Sequence, residues 1–112
     1  MTNHDNPLEL KPSKIDEVKI IHDPTVVPVL FHEKKQLILT LLIETDRTIM
    51  ELKKKTGINP GTIKRHLEDL VKKELVFQSY TIRNEYGFTL KYYRAVAKHF
   101  HVILDFPPKN KH

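Results

Sequence analysis

The sequence predicts an α+β fold, mainly α, in which three short helices precede a β-hairpin and the last two helices are joined by a tight turn. Three observations carry that expectation. Residues 48–75 hold two consecutive sets of helix start and stop signals. Residues 33–44 repeat apolar side chains at the helical period, and after Leu75 that period falls from about 3.6 to about 2. At 112 residues the chain is one domain, large enough for a modest core and too small for two. Its expected organisation is a flexible arm over 1–14, a folded domain over 15–106 and a frayed tail over 107–112.

Taken in order, residues 1–14 are polar, contain Pro7 and Pro12 and show no period, hence the arm. Ile15, Val18, Ile20 and Ile21 form an apolar patch around Lys19 that is too short to stand alone. Asp23-Pro24 reads as a cap and first helical residue. It opens the run Thr25 to Phe31, where Pro28 limits any helix to one or two turns, 3₁₀ among the options. Residues 15–31 hold more apolar surface than one small core obviously needs; packing against a second copy and folding back on the same chain both account for it. Residues 33–44, EKKQLILTLLIE, form the first long helix, with Leu37, Ile38, Leu41 and Leu42 on one face.

The next helix opens at Thr48, where Thr-x-x-Glu with Glu51 is a capping box, and stops at Gly57, which adopts positive φ without a Cβ penalty. Asn59 caps the third helix and Pro60 sits in its first turn, where a missing N–H costs nothing. Ile63, Leu67 and Leu70 recur at i, i+4 and i+7, giving residues 59–74 one buried stripe and leaving Gly61, Lys64, Arg65 and Glu68 on the opposite face. Residues 76–82 then read as a strand and 83–88 as a turn with Asn84 and Gly87 available for positive φ. Residues 89–97 read as the return strand, with no assignment of which tyrosine faces the core. Residues 98–106 alternate Phe100, Val102, Leu104 and Phe106 against His99, His101 and Asp105, fitting a further strand or a short helix.

Charge is unevenly placed. Residues 1–47 carry six Lys/Arg against eight Asp/Glu, 48–75 seven against four, and 76–112 six against two. The excess behind the net charge of +5 therefore lies on the helical pair and the hairpin, the footprint of a phosphate binder. With no cysteine, thiol catalysis, disulfides and cysteinyl metal sites are excluded. No secretory leader is visible and the longest apolar run is too short to cross a bilayer, so a cytoplasmic, nucleoid-associated protein is expected. The glycines build no phosphate-cradling loop, and neither Ser13 nor Ser79 has an adjacent base, so no enzymatic activity and no cofactor are expected.

With these elements placed, the chain resembles the winged-helix transcriptional regulators of the arsenical-resistance-repressor (ArsR) type, in particular their metal-independent members. The likeness covers about residues 22–98 and rests on HDPTVVPVLFHEKKQLILTLLIE (22–44), TIMELKKKTGINPGTIKRHLEDLVKKELV (48–76) and LKYYRAVA (90–97). It implies a winged helix-turn-helix that binds double-stranded DNA, with Pro60, Gly61, Lys64 and Arg65 at the base-reading positions. It also implies Thr62 at a phosphate or cap and Arg83 to Phe88 at the wing tip. Metal-sensing members carry a cysteine pair or a long C-terminal helix with Asp/His ligands; this chain has neither, so such sensing is not implied. The short C-terminal segment also shifts the expected homodimer contact to residues 15–31, with 98–106 as a second contributor.

The expected DNA contacts are thus Lys53, Lys55, Asn59, Pro60, Gly61, Thr62, Lys64, Arg65, Arg83, Lys91 and Arg94. Lys64 and Arg65 read bases; Lys53, Lys55, Thr62, Lys91 and Arg94 hold phosphates. His99, His101 and Asp105 on one strand face have ligand chemistry for zinc, but solvent-facing positions of an alternating strand are the preferred reading, and no metal site is assigned. His66 is expected to be partly buried against the first helix. The rival function is a winged helix that binds a protein partner in a transcription or replication assembly, and a sequence-indifferent architectural DNA binder is a third.

Overall fold

A computed structural model describes residues 11–108. The greater part of the arm expected over 1–14 and residues 109–112 of the expected tail lie outside the described residues. The element order is β1 (Asp16–Ile21), a 3₁₀ turn (Pro24–Val26), α1 (Val27–Leu30), α2 (Glu33–Glu44), α3 (Ile49–Thr56), α4 (Pro60–Lys72), β2 (Val76–Arg83), β3 (Thr89–Ala95) and β4 (Ala97–Val102).

Local chemistry sets most of these boundaries. Asp23 accepts from the Thr25 amide (2.9 Å) and hydroxyl (2.7 Å), opening the 3₁₀ turn; these bonds, the hydroxyl's first, hold its carboxyl below the usual carboxylate range. The capping box forms as expected: Glu51 N–H donates to Thr48 Oγ1 (3.1 Å) and Thr48 N–H to Glu51 Oε1 (2.9 Å). Gly57 closes α3 at φ 76°, its N–H bonded to the Lys53 carbonyl at 2.7 Å. Asn59 Oδ1 accepts from Gly61 N–H (2.8 Å) to start α4. At the other end of α4 a non-glycine residue, Glu74, takes the left-handed conformation at φ 61°. Its carbonyl accepts from Lys19 Nζ at 2.7 Å, so β1 helps hold that end.

The core lies where α2, α3 and α4 converge. Ile63, Leu67 and Leu70 of α4 pack with Ile38, Leu39 and Leu42 of α2, Leu52 of α3, and Val26, Leu75, Val76 and Ala95. The face expected on α2 needs one correction: Leu37 is 45 % exposed, and Leu39 takes its place in the buried stripe. Leu41 is half-buried. Turning α2 by one residue step aims it at both the later helices and the end of β3.

β2 and β3 form the antiparallel hairpin, running from Val76 opposite Ala95 to Arg83 opposite Thr89, with a bulge between Gln78 and Tyr80. Arg47 adds a bridge to Tyr93, with N–H to O distances of 3.0 and 2.9 Å, which fixes the hairpin to the α2–α3 connection. Tyr93 is the tyrosine packed on the core, while Tyr80 and Tyr92 stack on each other with centroids 4.7 Å apart. The return strand ends at Ala95 rather than 97. Val96 donates to the Leu75 carbonyl (3.0 Å), and the chain leaves the hairpin there.

β4 then pairs in parallel with β1, Lys19 opposite Phe100 and Ile21 opposite Val102 on the inward face. Val18 and His99, then Ile20 and His101, pair on the outward one. Residues 15–31, for which packing on a second copy and folding back on the same chain were both expected, place part of their apolar surface on their own chain. Ile21 and Val26 join the core, and Val27, Val29 and Leu30 pack against it. Val18, Ile20 and Phe31 stay exposed.

Arg94 also departs from the sequence reading. It is 5 % exposed, and its guanidinium donates to three carbonyls: Leu42 (3.0 Å), Ile43 (2.9 Å) and Ser13 (2.8 Å). The first two are carbonyls in the last turn of α2, which lack helical partners. Asp46 sits 3.7 Å away and accepts from Ser13 N–H (2.8 Å) and Oγ (2.6 Å). Burial works against the Asp46 charge, but the Ser13 bonds and Arg94 outweigh it and lower its pKa. Arg94 is therefore a structural tie and offers no donor to a phosphate. Arg94→Ala, leaving those carbonyls and a buried carboxylate unpaired, is expected to destabilise the fold by about 3–5 kcal/mol. Lys91→Ala, at an exposed strand position, is expected to change stability by less than about 0.5 kcal/mol. Urea denaturation of both variants measures this; equal midpoints would refute the assignment.

Candidate nucleic-acid interface

With its apolar stripe committed to the core, α4 presents Gly61, Lys64, Arg65 and Glu68 to solvent, all exposed. Pro60 and Thr62 beside them are half-buried, and Asn59 is exposed with its side-chain oxygen bonded to the Gly61 amide. A Cβ added at Gly61 would meet only Asn59 Oδ1, at 3.2 Å, so that position faces open space apart from its own cap. The α4 start therefore offers a favourable dipole end and no bulky exposed side chain in its first turn, both suited to an anion.

Lys53, Lys54 and Lys55 occupy the last turn of α3, exposed, where cations complement the helix C-terminus. Arg83 and Lys91 are exposed on the hairpin. Among the described residues none of Lys53, Lys54, Lys55, Lys64, Arg65, Arg83 or Lys91 forms an ion pair. The paired cations are elsewhere: Lys35 with Asp69 (3.0 Å), Arg47 with Glu44 (2.7 Å), Lys19 with Glu74 (3.8 Å) and Lys98 with Glu17 (3.6 Å). Charge is thus neutralised around the core and β1–β4 pair and left uncompensated on α3, the start of α4 and the hairpin.

The hairpin is held beside α4. A groove of about 320 Å³ runs between them, lined by Lys64, Leu67, Glu68, Val71 and Lys72 on the helix and by Gln78 and Tyr93 on the strands. A second hollow, of about 200 Å³, separates Thr48, Ile49 and Met50 at the start of α3 from Thr89, Leu90 and Lys91 of β3. The tip is ordered by Asn84, whose side-chain oxygen accepts from Tyr86 N–H (2.9 Å) and Phe88 N–H (3.0 Å), with Gly87 at φ 84°. Arg83, Tyr86 and Phe88 project from it, exposed. All eleven residues expected to contact DNA lie on α3, at or near the start of α4, or on the hairpin; ten are exposed or half-buried, and Arg94 alone of the eleven is buried. The sequence reading missed Val71, exposed in the groove, and Met50, exposed beside β3. Residue type alone does not distinguish either from a core residue; the helix phase does.

His66 lies on the flank of α4 facing α2. Its ring is 4.9 Å from that of His32, and its Nδ1 is buried without a hydrogen-bond partner. Lys35, paired with Asp69, and Arg65 complete its surroundings. Burial, then Lys35 and His32, lower the His66 pKa against a smaller opposing pull from Asp69. His99 and His101 share the exposed outward face of β4, and no group of three or more metal-ligating side chains comes together among the described residues.

Residues 32–77 match the family described as bacterial regulatory protein, arsR family. Three solved structures share the fold. HlyU from Vibrio cholerae N16961 aligns at TM-score 0.51 and 19 % identity, over 64 % of this chain and 72 % of its own. The transcriptional repressor BigR from Xylella fastidiosa aligns at 0.51 and 24 %, over 63 % and 64 %. The homodimeric winged helix-turn-helix DNA-binding domain Mb0332 from Mycobacterium bovis, described as a possible ArsR-family transcriptional regulator, aligns at 0.51 and 26 %, over 65 % and 62 %. This chain thus spans slightly less than two thirds of the latter two. No curated protein sequence matches it.

Because His66 binds its proton less readily when folded, the unfolded chain holds more protons around the ordinary value of 6.5. Folding stability is therefore expected to fall as pH drops from about 7 through 6.5, and to level off below the folded-state value. His66→Leu should flatten that part of the profile. Stability curves of the two proteins between pH 5 and 8 check it; an unchanged slope in the variant would assign the effect to another group.

Proposed function

We propose that the protein is a homodimeric transcriptional regulator that binds specific double-stranded DNA sequences, a reading supported by the match of residues 32–77 to the arsR family of bacterial regulatory proteins. The observation that carries this reading is the outward side of α4, where Gly61, Lys64 and Arg65 stand exposed and unpaired beside an equally basic hairpin. With α4 in the major groove, Lys64 and Arg65 are the groups to read guanine O6 and N7, a bidentate contact worth about 1–3 kcal/mol of discrimination. Pro60 and Gly61 let the helix start approach the sugar-phosphate backbone closely. Thr62, Lys53, Lys55 and Lys91 hold phosphates, with Lys54 available on the same turn of α3. Arg83 and the wing tip lie over the adjacent minor groove. Arg94 has no part in this contact set.

A second copy supports palindromic reading, and the mycobacterial neighbour at 26 % identity is itself a homodimer. Two recognition helices about 34 Å apart would enter successive major grooves on one side of the duplex. No helix among the described residues is long and apolar enough to cross a membrane. The reading places the protein in the cytoplasm at the nucleoid and gives it no catalytic step.

Selection of bound fragments from random duplex DNA at two salt concentrations tests the proposal and yields the operator. Arg65→Ala is expected to flatten the preference between selected and scrambled sites. Lys55→Ala should weaken all duplexes alike and reduce the slope of log K against log salt by about one unit. Identical behaviour of both variants across sequences would overturn the division of roles. Absence of salt-dependent binding would favour a protein partner on this face instead.

A further inference from the structure

Beyond the DNA face, an apolar groove of about 360 Å³ opens at the start of β4, with Leu30 and Phe31 on one side, Lys98, His99 and Phe100 on the other, and Leu39 and Ile43 of α2 nearby. Phe31 is 74 % exposed on its rim. The described part of the chain also ends in a segment with exposed apolar side chains: Ile103 and Leu104 are half-exposed and Phe106 is 96 % exposed.

The tail cannot easily serve its own groove. It follows β4 at the Val102 end, whereas the groove is lined by Lys98, His99 and Phe100 at the strand's start, so Phe106 would have to double back along β4 to reach it. A second copy solves this geometrically. β4 pairs with β1 alone among the described residues, so its other edge carries unpaired backbone groups. A two-fold axis beside that edge lays the partner's β4 antiparallel to it. With the axis near Val102, position 106 of one copy falls opposite position 98 of the other, at the mouth of the groove.

We propose that two copies exchange their C-terminal tails, each Phe106 ring filling the groove between Phe31 and β4 of its partner. This rests on the homodimeric reading above and specifies its contact. Two exchanged phenyl rings with Phe31, Ile103 and Leu104 in both copies bury on the order of 1,000 Å², the lower end of specific interfaces. The exchange also covers one edge of a two-stranded parallel pair, an arrangement that is rarely left open.

Sedimentation of the whole protein, and disulfide capture in a chain that has no cysteine of its own, test the proposal. The wild type should be dimeric at micromolar concentration. Phe106→Ala should weaken the dimer at least tenfold with unchanged circular dichroism, since an exposed ring contributes little to the monomer fold. Mixing separately prepared Phe31→Cys and Phe106→Cys proteins under mild oxidation should yield the mixed disulfide dimer. A dimer indifferent to Phe106→Ala, lacking that cross-link and broken by Val18→Asp, would overturn the exchange and move the contact to the outward face of β1–β4, leaving the dimeric regulator intact. A wild-type monomer at tens of micromolar would overturn the exchange and the homodimer together, while the DNA-selection experiment continues to judge DNA binding separately.

Discussion

The buried guanidinium of Arg94 is the constraint on which the rest of the molecule hangs. Three segments distant in sequence meet on it: the Ser13 carbonyl, the last carbonyls of α2 and strand β3 itself. Desolvating a guanidinium is costly unless its donors are matched, and here three carbonyls and the nearby Asp46 carboxylate match them. The matching works only when the hairpin lies at one angle to α2. The Arg47–Tyr93 bridge repeats the same restraint one residue away. The wing is therefore set against the helices by polar contacts that tolerate little displacement, whereas apolar packing alone would permit sliding.

That fixed frame decides what α4 can present. Ile63 and Leu70 are fully buried and Leu67 nearly so, so the helix has one permissible rotation about its axis. The rotation that satisfies them turns Lys64 and Arg65 out. Lys35 reinforces it from α2 by its ion pair with Asp69, a contact that also holds the Asp69 carboxyl below its usual range, chiefly through the hydrogen bond. Cations near the core thus have partners, and those on the basic face have none. Surface ion pairs contribute little to stability in any case. Leaving the outer cations unpaired therefore costs the fold almost nothing while preserving a field for phosphate.

The helical part of this arrangement was legible because its signals are local. Thr48, Glu51, Gly57, Asn59 and Pro60 act within a few residues of themselves, and each behaves in the structure as its chemistry dictates. The stripe on α4 was legible for the same reason, three aliphatic residues at one period. The stripe on α2 was less so, because Leu37, Ile38, Leu39, Leu41, Leu42 and Ile43 are nearly continuous and admit two phases. Arg94 could not be read correctly from sequence at all. An arginine in a strand looks like a surface cation until its acceptors are known, and those acceptors lie 51 to 81 residues away. The parallel pairing of β1 with β4 joins the two ends of the described chain and leaves only short alternating runs as its trace. Which residues of the basic face touch DNA is not a property of the free fold, so the sequence offered residue types there and the structure adds their exposure.

The β1–β4 pair is also bonded to the far end of α4. Lys19 of β1 donates to the Glu74 carbonyl at 2.7 Å, and Lys73 donates to Thr25 Oγ1 at 2.6 Å. Glu74 is the residue in the left-handed conformation, a position that a non-glycine side chain occupies at a cost of about 1 kcal/mol and that needs its neighbours to hold it. Any subunit contact made through β4 is transmitted to β1 by the ladder and from β1 to this turn. The start of α4 carries the groups proposed to read bases, and its end is held by the sheet proposed to carry the dimer contact. In the proposed dimer, a rigid thirteen-residue helix between them would convert the spacing of two subunits into the spacing of two reading heads.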